Sequence, residues 1–354
     1  MIAWNEFERL KPTDKIKYLS FDSGTIQSLI YAQQLRREII ERIINIAEVI
    51  RTSTSDLAFM KHLSNLLNIN TCALYFTQCS TRTFTSFSVA AQSLGMHIEE
   101  VRNPEMSSMY KGESELDTLL TLATLCEVIV IRQMDSTLTD RLAYEICSRN
   151  LPTRVINGGS GSDQHPTQAL LDMYSLFVHS DFLNTEIKDF KVAIVGDLKR
   201  SRTARSLSYL LALYPKIKQY FIAPAELQMA DDILEHLNQH SVQYQCSESL
   251  DQHLNEVDVF YMMRIQDEYS HTSEELRKAY ESFYLSIKKV QLMKESACIL
   301  HPLPRRLEIP IEIDKDHRAK YWDTVALGKI IRMALLLYMF GYDDPEKLQS
   351  QSYL

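Results

Sequence analysis

Short apolar runs alternate with helix-period stretches between residues 71 and 157. Runs such as EVIVI at 127–131 are continuous and short, which is typical of strands buried on both faces. The stretches between them repeat apolar positions every three or four residues, which indicates amphipathic helices. The pattern predicts strands at Thr71–Phe76, Ile98–Val101, Glu127–Ile131 and Thr153–Ile156, and helices at Thr83–Leu94, Ser114–Cys126 and Asp140–Ser148.

A second series of the same kind follows residue 165. Its predicted strands are Phe190–Val195, Lys218–Ile222, Val257–Met262 and Ala297–Leu300, and its predicted helices are Pro166–Phe182, Arg202–Leu213, Ala225–Asn238 and Ala326–Phe340. Strands that alternate with helices indicate a parallel sheet. The two series therefore predict an α/β fold with two domains, each a parallel sheet flanked by helices on both faces. No linker separates them, so we expect the boundary inside the helix that begins at Pro166.

The first 70 residues follow a different pattern. Residues 1–20 show no clear period and are predicted to be an irregular extension, either disordered or packed. Ser23 is placed to cap a long helix from Thr25 to Ile50. The polar stretch Arg51–Asp56 ends that pattern, and a short helix is expected after it.

Composition narrows the class of protein. The chain has 354 residues, 45% of them hydrophobic, which suits about two domains with their own cores. The formal net charge of −8 argues against a surface built for nucleic acid or an anionic membrane. Six cysteines without a CxxC pair are typical of reduced thiols inside the cell. With no apolar leader and no apolar run of about 20 residues, the sequence predicts a cytoplasmic protein.

Two strand ends of the first series carry groups that suit an anion. Ser80–Thr83 reads STRT at the start of a predicted helix, where hydroxyls, a guanidinium and the positive end of the helix all favour phosphate. Ordinary helix capping would also place hydroxyls there. Arg132 directly follows the EVIVI run, where either a ligand or a structural ion pair is expected.

The segment Asn157–Gln168 is the most informative loop. Three of the nine glycines of the chain fall within four of its residues, between a strand and a helix, so its backbone can approach a ligand closely. His165 and Gln168 lie three residues apart and share one face of the helix start. A lone histidine there is often a cap or a core residue, but the glycine cluster favours a site. The loop does not match the dinucleotide pattern GxGxxG.

A polar loop and two basic strand ends add further candidates. Lys111, in the loop that begins at Ser107, is either a phosphate ligand or a solvated side chain. Arg202 opens a helix after one strand of the second series, and Arg264, followed by Gln266, comes directly after another. A guanidinium can clamp a carboxylate, whereas a solvated turn and an ion pair are the alternatives.

The last strand is followed by a loop stiffened by two prolines. The backbone of Pro302 and Leu303 can offer carbonyl groups to an amino group, although a stiff connector would look the same. No acidic metal cluster, HExxH or GxSxG motif accompanies these candidates. The residues therefore indicate anionic substrates and a reaction that depends on charge stabilisation.

Three of these motifs together identify a resemblance. STRT at Ser80–Thr83, HPTQ at His165–Gln168 and HPLPR at His301–Arg305 occur in order, and the chain from Phe21 to Gly341 resembles the aspartate/ornithine transcarbamylases. Pro302, where ornithine enzymes usually carry cysteine, points to the aspartate branch. The resemblance implies transfer of a carbamoyl group from carbamoyl phosphate to L-aspartate, an early step of pyrimidine biosynthesis, with no metal or organic cofactor.

The resemblance also implies domains and site residues. The implied carbamoyl-phosphate domain is 1–165 plus 322–354, with 1–20 as an N-terminal extension, and the implied aspartate domain is 166–321. The implied carbamoyl-phosphate ligands are Ser80, Thr81, Arg82, Thr83, Arg132, His165 and Gln168, with Ser107 and Lys111 contributed by a neighbouring subunit of a homotrimer. Arg82, Thr83, Arg132 and His165 are the implied catalytic residues. The implied aspartate ligands are Arg202, Arg264, Gln266, Pro302 and Leu303.

Some positions depart from the family pattern, and these leave alternatives open. Gln78 and Tyr269 stand where the family usually pairs an acid with an arginine across closing domains, and losing both leaves no unpaired buried charge. Phe84 and Leu307 also replace charged residues. A transcarbamylase for another amine and a catalytically weak structural or regulatory homologue are the alternatives. The resemblance leaves open whether regulatory chains or other enzymes associate with the protein.

Overall fold

The computed structural model describes residues 1–19, 26–102, 112–161, 164–183, 189–264 and 280–350. Its contacts divide the chain into two compact units. Unit 1 comprises residues 1–170 and 327–354, and unit 2 comprises residues 171–326.

Each unit contains one parallel sheet of five strands. The strands are β1 (Ser28–Leu29), β2 (Thr71–Phe76), β3 (His97–Val101), β4 (Val128–Arg132), β5 (Arg154–Asn157), β6 (Phe190–Val195), β7 (Ile217–Ile222), β8 (Tyr244–Ser247), β9 (Val259–Met262) and β10 (Cys298–Leu300). Unit 1 has the order β1-β5-β4-β2-β3, and unit 2 has the order β10-β9-β6-β7-β8. All neighbouring strands are parallel, which confirms the predicted α/β fold class.

Burial explains why the central strands were visible in the sequence. Every residue of β2 except the first is buried, and β4 and β6 are almost as fully buried. A strand covered on both faces needs apolar side chains at consecutive positions. The structure therefore confirms the strands predicted at Thr71–Phe76 and Phe190–Val195, and the bounds of the other predicted strands shift by one or two residues.

The described residues form α-helices, and several of these have a capping side chain or a proline at their start. The helices are α1 (Trp4–Glu8), α2 (Pro12–Lys15), α3 (Arg37–Thr52), α4 (Leu57–Leu66), α5 (Thr81–Ser93), α6 (Glu115–Leu125), α7 (Ser136–Ser148), α8 (Pro166–His179), α9 (Arg202–Leu211), α10 (Asp231–Gln239), α11 (Ile287–Gln291), α12 (Tyr321–Met339) and α13 (Pro345–Ser350). The carboxylate of Asp135 accepts from the N–H of Thr137 at 2.8 Å. Because this cap fixes the start of α7, the helix begins four residues before the predicted Asp140.

Two edge strands, β1 and β8, were missed because neither contains an apolar run of strand length. β8 reads YQCS and is largely exposed, and β1 contains only two residues, which pair with β5. The pairing of β1 also corrects the helix predicted from Thr25, since α3 starts only at Arg37. Ser23, its predicted cap, lies outside the described residues.

The N-terminal extension is packed, which is one of the two predicted alternatives, and it contains the helices α1 and α2, which the sequence pattern did not predict. Phe7 of α1 is fully buried and packs on Tyr144 of α7, with 5.2 Å between ring centroids. The ammonium of Lys15 lies 2.6 Å from the Asp140 carboxylate, and both side chains are largely buried. Removing either partner would leave a buried charge unpaired. The extension is therefore part of unit 1.

The helix predicted at Ala225–Asn238 is also divided. A single 3-10 turn at Ala225–Leu227 is separated by extended residues from α10. The carbonyl of Leu227 accepts from the N–H groups of Leu198 and Lys199 at 3.1 and 3.0 Å, which holds this turn against the loop after β6. Among the helices of the described residues, none is both long and apolar enough to cross a membrane.

Candidate active site

The first group of candidate residues lies at the carboxyl ends of β2, β4 and β5 in unit 1. Phe76, the last residue of β2, pairs with Arg132, and Ile131 pairs with Asn157. The N–H of Gln78 donates to the carbonyl of Arg132 at 3.3 Å. The parallel register therefore brings the STRT segment, Arg132 and the glycine-rich loop to one edge of the sheet, where α/β proteins bind ligands.

The STRT segment opens α5. Ser80 is at the N-cap position with extended backbone, but its side chain makes no capping hydrogen bond. The capping interpretation of this hydroxyl is therefore not borne out. Thr83 is buried and Arg82 is exposed. The first N–H groups of a helix have no intrahelical acceptor and point out of its N-terminal end. They can therefore donate to an anion bound there.

Arg132 and His165 meet at Gly159. The Arg132 guanidinium donates to the carbonyl of Gly158 at 3.1 Å. Gly159 has φ +102, and a Cβ placed there would lie 2.7 Å from the guanidinium of Arg132 and 2.7 Å from the imidazole of His165. Both predicted side chains thus pack against the same glycine, and a guanidinium and an imidazole face one point of the loop.

Asn157 organises this loop, and sequence reasoning missed it. Its side-chain oxygen accepts from the N–H groups of Gly159 and Ser160, each at 2.8 Å, and its amide donates to the carbonyl of Ile30 at 3.0 Å. The hydroxyl of Ser160 donates to Ile131. An asparagine just before two glycines was the available signal, because asparagine commonly bonds to the backbone two residues on.

Gln168 lies in the first turn of α8. Its N–H donates to the carbonyl of His165 at 3.0 Å. His165 is buried and its Nδ1 lies 3.4 Å from the Thr167 hydroxyl. The start of α8 therefore holds His165 and Gln168 close together, next to the glycine loop.

We expect Gly159→Ala to lower kcat/KM for the carbamoyl transfer that the resemblance implies at least tenfold. The new methyl group would displace Arg132 and His165. The backbone conformation would add a stability loss of about 1–3 kcal/mol. Gly341→Ala is the matched control, since Gly341 has φ +86 but no atom within 4 Å of the added carbon. Steady-state kinetics and urea unfolding separate the two effects. Equal kcat/KM in both variants would show that the space at Gly159 is not needed.

Phe84, one of the departures from the pattern of the resembled family, packs against two neighbouring side chains. Its ring packs edge-on against Phe76 at 5.3 Å, and the Arg102 guanidinium lies 3.4 Å from its ring centroid. An aromatic ring and a stacked arginine therefore fill this place at the sheet edge. The residue is part of the packing behind the STRT segment.

The second group of candidates lies at the carboxyl ends of β6 and β9 in unit 2. The last residues of these strands, Val195 and Met262, are paired, and the N–H of Met263 donates to the carbonyl of Val195 at 2.8 Å. A Cβ on Gly196 would lie 2.4 Å from the carbonyl of Met263, so only glycine fits there. Arg264 follows directly.

The start of α9 contacts the same point. The hydroxyls of Ser201 and Thr203 lie 3.8 and 3.7 Å from the sulfur of Met263. Arg202 stands between them and Arg264 is adjacent to Met263, so the turn and the strand end place both arginines at one edge of the sheet. Neighbouring arginines serve structural pairs: Arg200 lies 3.7 Å from the Asp197 carboxylate, and Arg205 binds Asp232 in a bidentate pair.

The HPLPR loop follows β10 in the same unit. Leu300 at the end of β10 pairs with Tyr261 of β9. Arg305 forms a bidentate pair with Asp314, whose carboxylate also accepts from the Tyr321 hydroxyl. Hydrogen bonds from Arg305 hold the pKa of Asp314 at about 2. This ion pair fixes the far end of the loop that carries Pro302 and Leu303.

Three of the predicted ligands and one departure cannot be compared with the structure. Ser107, Lys111, Gln266 and Tyr269 lie outside the described residues. Within the described residues, no cluster of three or more histidine, cysteine, aspartate or glutamate side chains is arranged to hold a metal ion.

Arginines, hydroxyls and an imidazole at the carboxyl ends of parallel strands are groups that suit small anionic ligands. Residues 27–177 match the family model for the carbamoyl-P binding domain of aspartate/ornithine carbamoyltransferases. Residues 188–339 match the model for the Asp/Orn binding domain of the same family. The chain belongs to the aspartate/ornithine carbamoyltransferase family.

Individual relatives agree with this assignment. The chloroplastic aspartate carbamoyltransferase of Oryza sativa subsp. japonica is 38% identical over 313 residues, which cover 87% of this chain and 83% of the relative. The solved catalytic subunit of the Methanocaldococcus jannaschii enzyme superposes with a TM-score of 0.78 at 33% identity, over 89% of this chain and 98% of that one. A Trypanosoma cruzi aspartate transcarbamoylase, solved in complex with carbamoyl phosphate and aspartate, gives a TM-score of 0.77 at 31% identity, over 88% and 95%.

Proposed function

We propose that this protein transfers the carbamoyl group of carbamoyl phosphate to the amino group of L-aspartate, forming N-carbamoyl-L-aspartate and phosphate. The observation that carries the proposal is the packing of Arg132 and His165 against Gly159 at the end of the unit 1 sheet. The Trypanosoma cruzi relative, solved with both substrates, supports the choice of carbamoyl phosphate and aspartate.

In the proposed reaction, Ser80–Thr83 bind the phosphate and Gln168 holds the carbamoyl nitrogen. Arg132, His165 and Thr83 donate to the carbamoyl oxygen. The neutral amine of aspartate attacks the carbamoyl carbon, and a C–N bond forms while negative charge develops on that oxygen. The C–O bond to phosphate then breaks, and the amine proton leaves with the phosphate. Donors fixed before the reaction stabilise this charge without reorganising.

Arg202 and Arg264 are the proposed ligands of the two aspartate carboxylates, with Gln266 beside them. The backbone of Pro302 and Leu303 is the proposed acceptor for the amine. Two guanidinium groups suit two carboxylates, whereas ornithine has only one carboxylate and carries a cationic ammonium group that they would repel. The sequence retains the residue types of all the proposed ligands. The departures at Gln78, Phe84, Tyr269 and Leu307 lie at other positions.

A carbamoylation assay tests the function. We expect ¹⁴C-carbamoyl phosphate to give labelled carbamoylaspartate with aspartate and at least a thousandfold less product with ornithine. Comparable turnover of ornithine would support the transcarbamylase for another amine. Binding of carbamoyl phosphate without product from either amine would support the catalytically weak homologue and overturn the proposal.

We further propose that the chain acts as a homotrimer whose neighbouring subunits supply Ser107 and Lys111 to each site. Relatives include a catalytic subunit from Methanocaldococcus jannaschii and part of a multifunctional yeast protein. Mixing Lys111→Ala chains with Arg82→Ala chains should restore activity, because some sites then receive both intact residues. Mixing Arg82→Ala with Arg132→Ala chains is the control that should not recover. No recovery in the first mixture would contradict shared sites.

A further inference from the structure

The segment Pro302–Leu303–Pro304 carries only one backbone N–H group. Proline has no N–H, so Leu303 supplies the single donor beside three carbonyl acceptors. The N–H of Leu303 donates to Nδ1 of His301 at 2.7 Å. With that donor engaged, the backbone groups that this segment can offer to a ligand are carbonyl oxygens.

Glu308 fixes the ring that engages this donor. Its carboxylate oxygen Oε1 lies 2.8 Å from Nε2 of His301, and the two side chains are 4% and 1% exposed. The same oxygen accepts from the N–H of Arg306 at 2.9 Å. Because the N–H of Leu303 points at Nδ1, the imidazole proton is on Nε2 and is donated to Glu308.

The pKa of Glu308 agrees with this arrangement. Burial raises the pKa of Glu308, but the hydrogen bond from His301 and the backbone N–H groups of Arg306 and Glu308 lower it by more, so this pKa lies below the ordinary value. Glu308 is thus held as an acceptor carboxylate. The carbonyl of Glu308 also accepts from Leu285 at 2.9 Å, which anchors the residue to the body of unit 2.

The backbone of Leu303 needs such support. Its φ is +55, a left-handed conformation that is costly for a residue with a side chain. The bond to His301 stabilises this conformation, and with it the direction of the neighbouring carbonyl groups. Without the bond, Leu303 could relax and its N–H would be presented on the same segment as the carbonyls.

We propose that His301, oriented by Glu308, is a positioning residue that keeps Pro302–Pro304 an acceptor-only surface selective for an N–H-bearing substrate. The inference rests on the proposed function, in which this segment faces the aspartate amine. An N–H donor on this surface would oppose the N–H groups of the amine and would attract anionic oxygens instead. His301 thus acts on the amine through the loop, without touching it.

Two substitutions of His301 separate its acceptor role toward the Leu303 N–H from its donor role toward Glu308. The side-chain oxygen of asparagine in His301→Asn can replace Nδ1 and accept from Leu303, whereas the longer amide in His301→Gln can reach Glu308 but leaves the Leu303 N–H without its acceptor. We expect His301→Gln to raise the KM for aspartate roughly tenfold or more and His301→Asn to raise it at most threefold. The KM for carbamoyl phosphate and the thermal midpoint should be similar in the two variants.

Glu308→Gln and Glu308→Ala keep the test decisive if the histidine variants do not fold. The glutamine variant retains an acceptor for His301. Its KM for aspartate should be at least threefold lower than that of the alanine variant. Equal aspartate KM values within the folded pairs, or changes that follow only the thermal midpoint, would overturn the positioning role. Wild-type protein that forms no carbamoylaspartate would overturn the proposed function instead, so the two failures are distinguishable.

Discussion

Arg264→Ala is expected to raise the KM for aspartate about a hundredfold while carbamoyl phosphate binds as in the wild type. Arg264 follows β9 at the sheet edge of unit 2, beside the contact between Met263 and α9. Losing a charge-assisted, bidentate contact to a carboxylate costs about 3 kcal/mol, which corresponds to two orders of magnitude in affinity. Steady-state kinetics gives the KM, and equilibrium dialysis gives the affinity for carbamoyl phosphate.

Arg306→Ala is the matched control for this experiment. Arg306 is an exposed arginine of the same unit, and its backbone N–H rather than its side chain holds Glu308. It has no proposed contact with substrate, so its aspartate KM should stay within about twofold of the wild type. An Arg264→Ala enzyme whose KM stays within threefold would show that Arg264 does not bind the substrate.

Arg132→Ala is expected to lower kcat about a thousandfold at saturating substrates. Its guanidinium is fixed by the carbonyl of Gly158 and packs on Gly159 beside His165, so it is oriented before the substrate arrives. Removing one such donor to a developing oxyanion typically costs a factor of 10²–10³. Arg132→Lys keeps the charge but loses the planar fork, and we expect it to retain more activity than the alanine variant, yet less than a tenth of the wild-type kcat.

Steady-state measurements with both substrates saturating check this prediction. Arg149→Ala serves as the control, because Arg149 is a half-exposed arginine at the end of α7 that pairs with Glu145. Its kcat should stay within twofold of the wild type. If Arg132→Ala keeps more than a tenth of the wild-type kcat, stabilisation of the carbamoyl oxygen must come from other groups.

The parts of the fold that the sequence predicted are those in which local pattern and burial agree. β2 and β6 are covered on both faces, so their apolar runs mark them without knowledge of their partners. The two-residue strand β1 exists only through its pairing with β5, and the polar edge strand β8 needs few apolar side chains. The N-terminal extension lacks a helical period, yet Phe7 is buried because α7 lies beside it.

The candidate site residues also divide into those that the sequence predicted and those that it did not. Arg132, His165 and Arg264 were predicted because each follows a strand that the pattern predicts, and within each sheet the parallel strands bring their carboxyl ends to one edge. The roles of Asn157 and of the pair His301–Glu308 were not predicted, since they depend on distances between backbone and side chains that a sequence does not contain. Partner choice for buried polar groups is set by the tertiary structure.

The most direct test is to follow the new bond itself. The wild-type protein would be incubated with ¹³C-labelled carbamoyl phosphate and ¹⁵N-labelled aspartate, and the carbamoyl carbon would be observed by NMR. The proposed function predicts that the product carbon signal is split by coupling to the aspartate ¹⁵N, as one phosphate is released for each carbamoylaspartate formed. Phosphate release with only an uncoupled carbon signal would show hydrolysis without transfer and would contradict it.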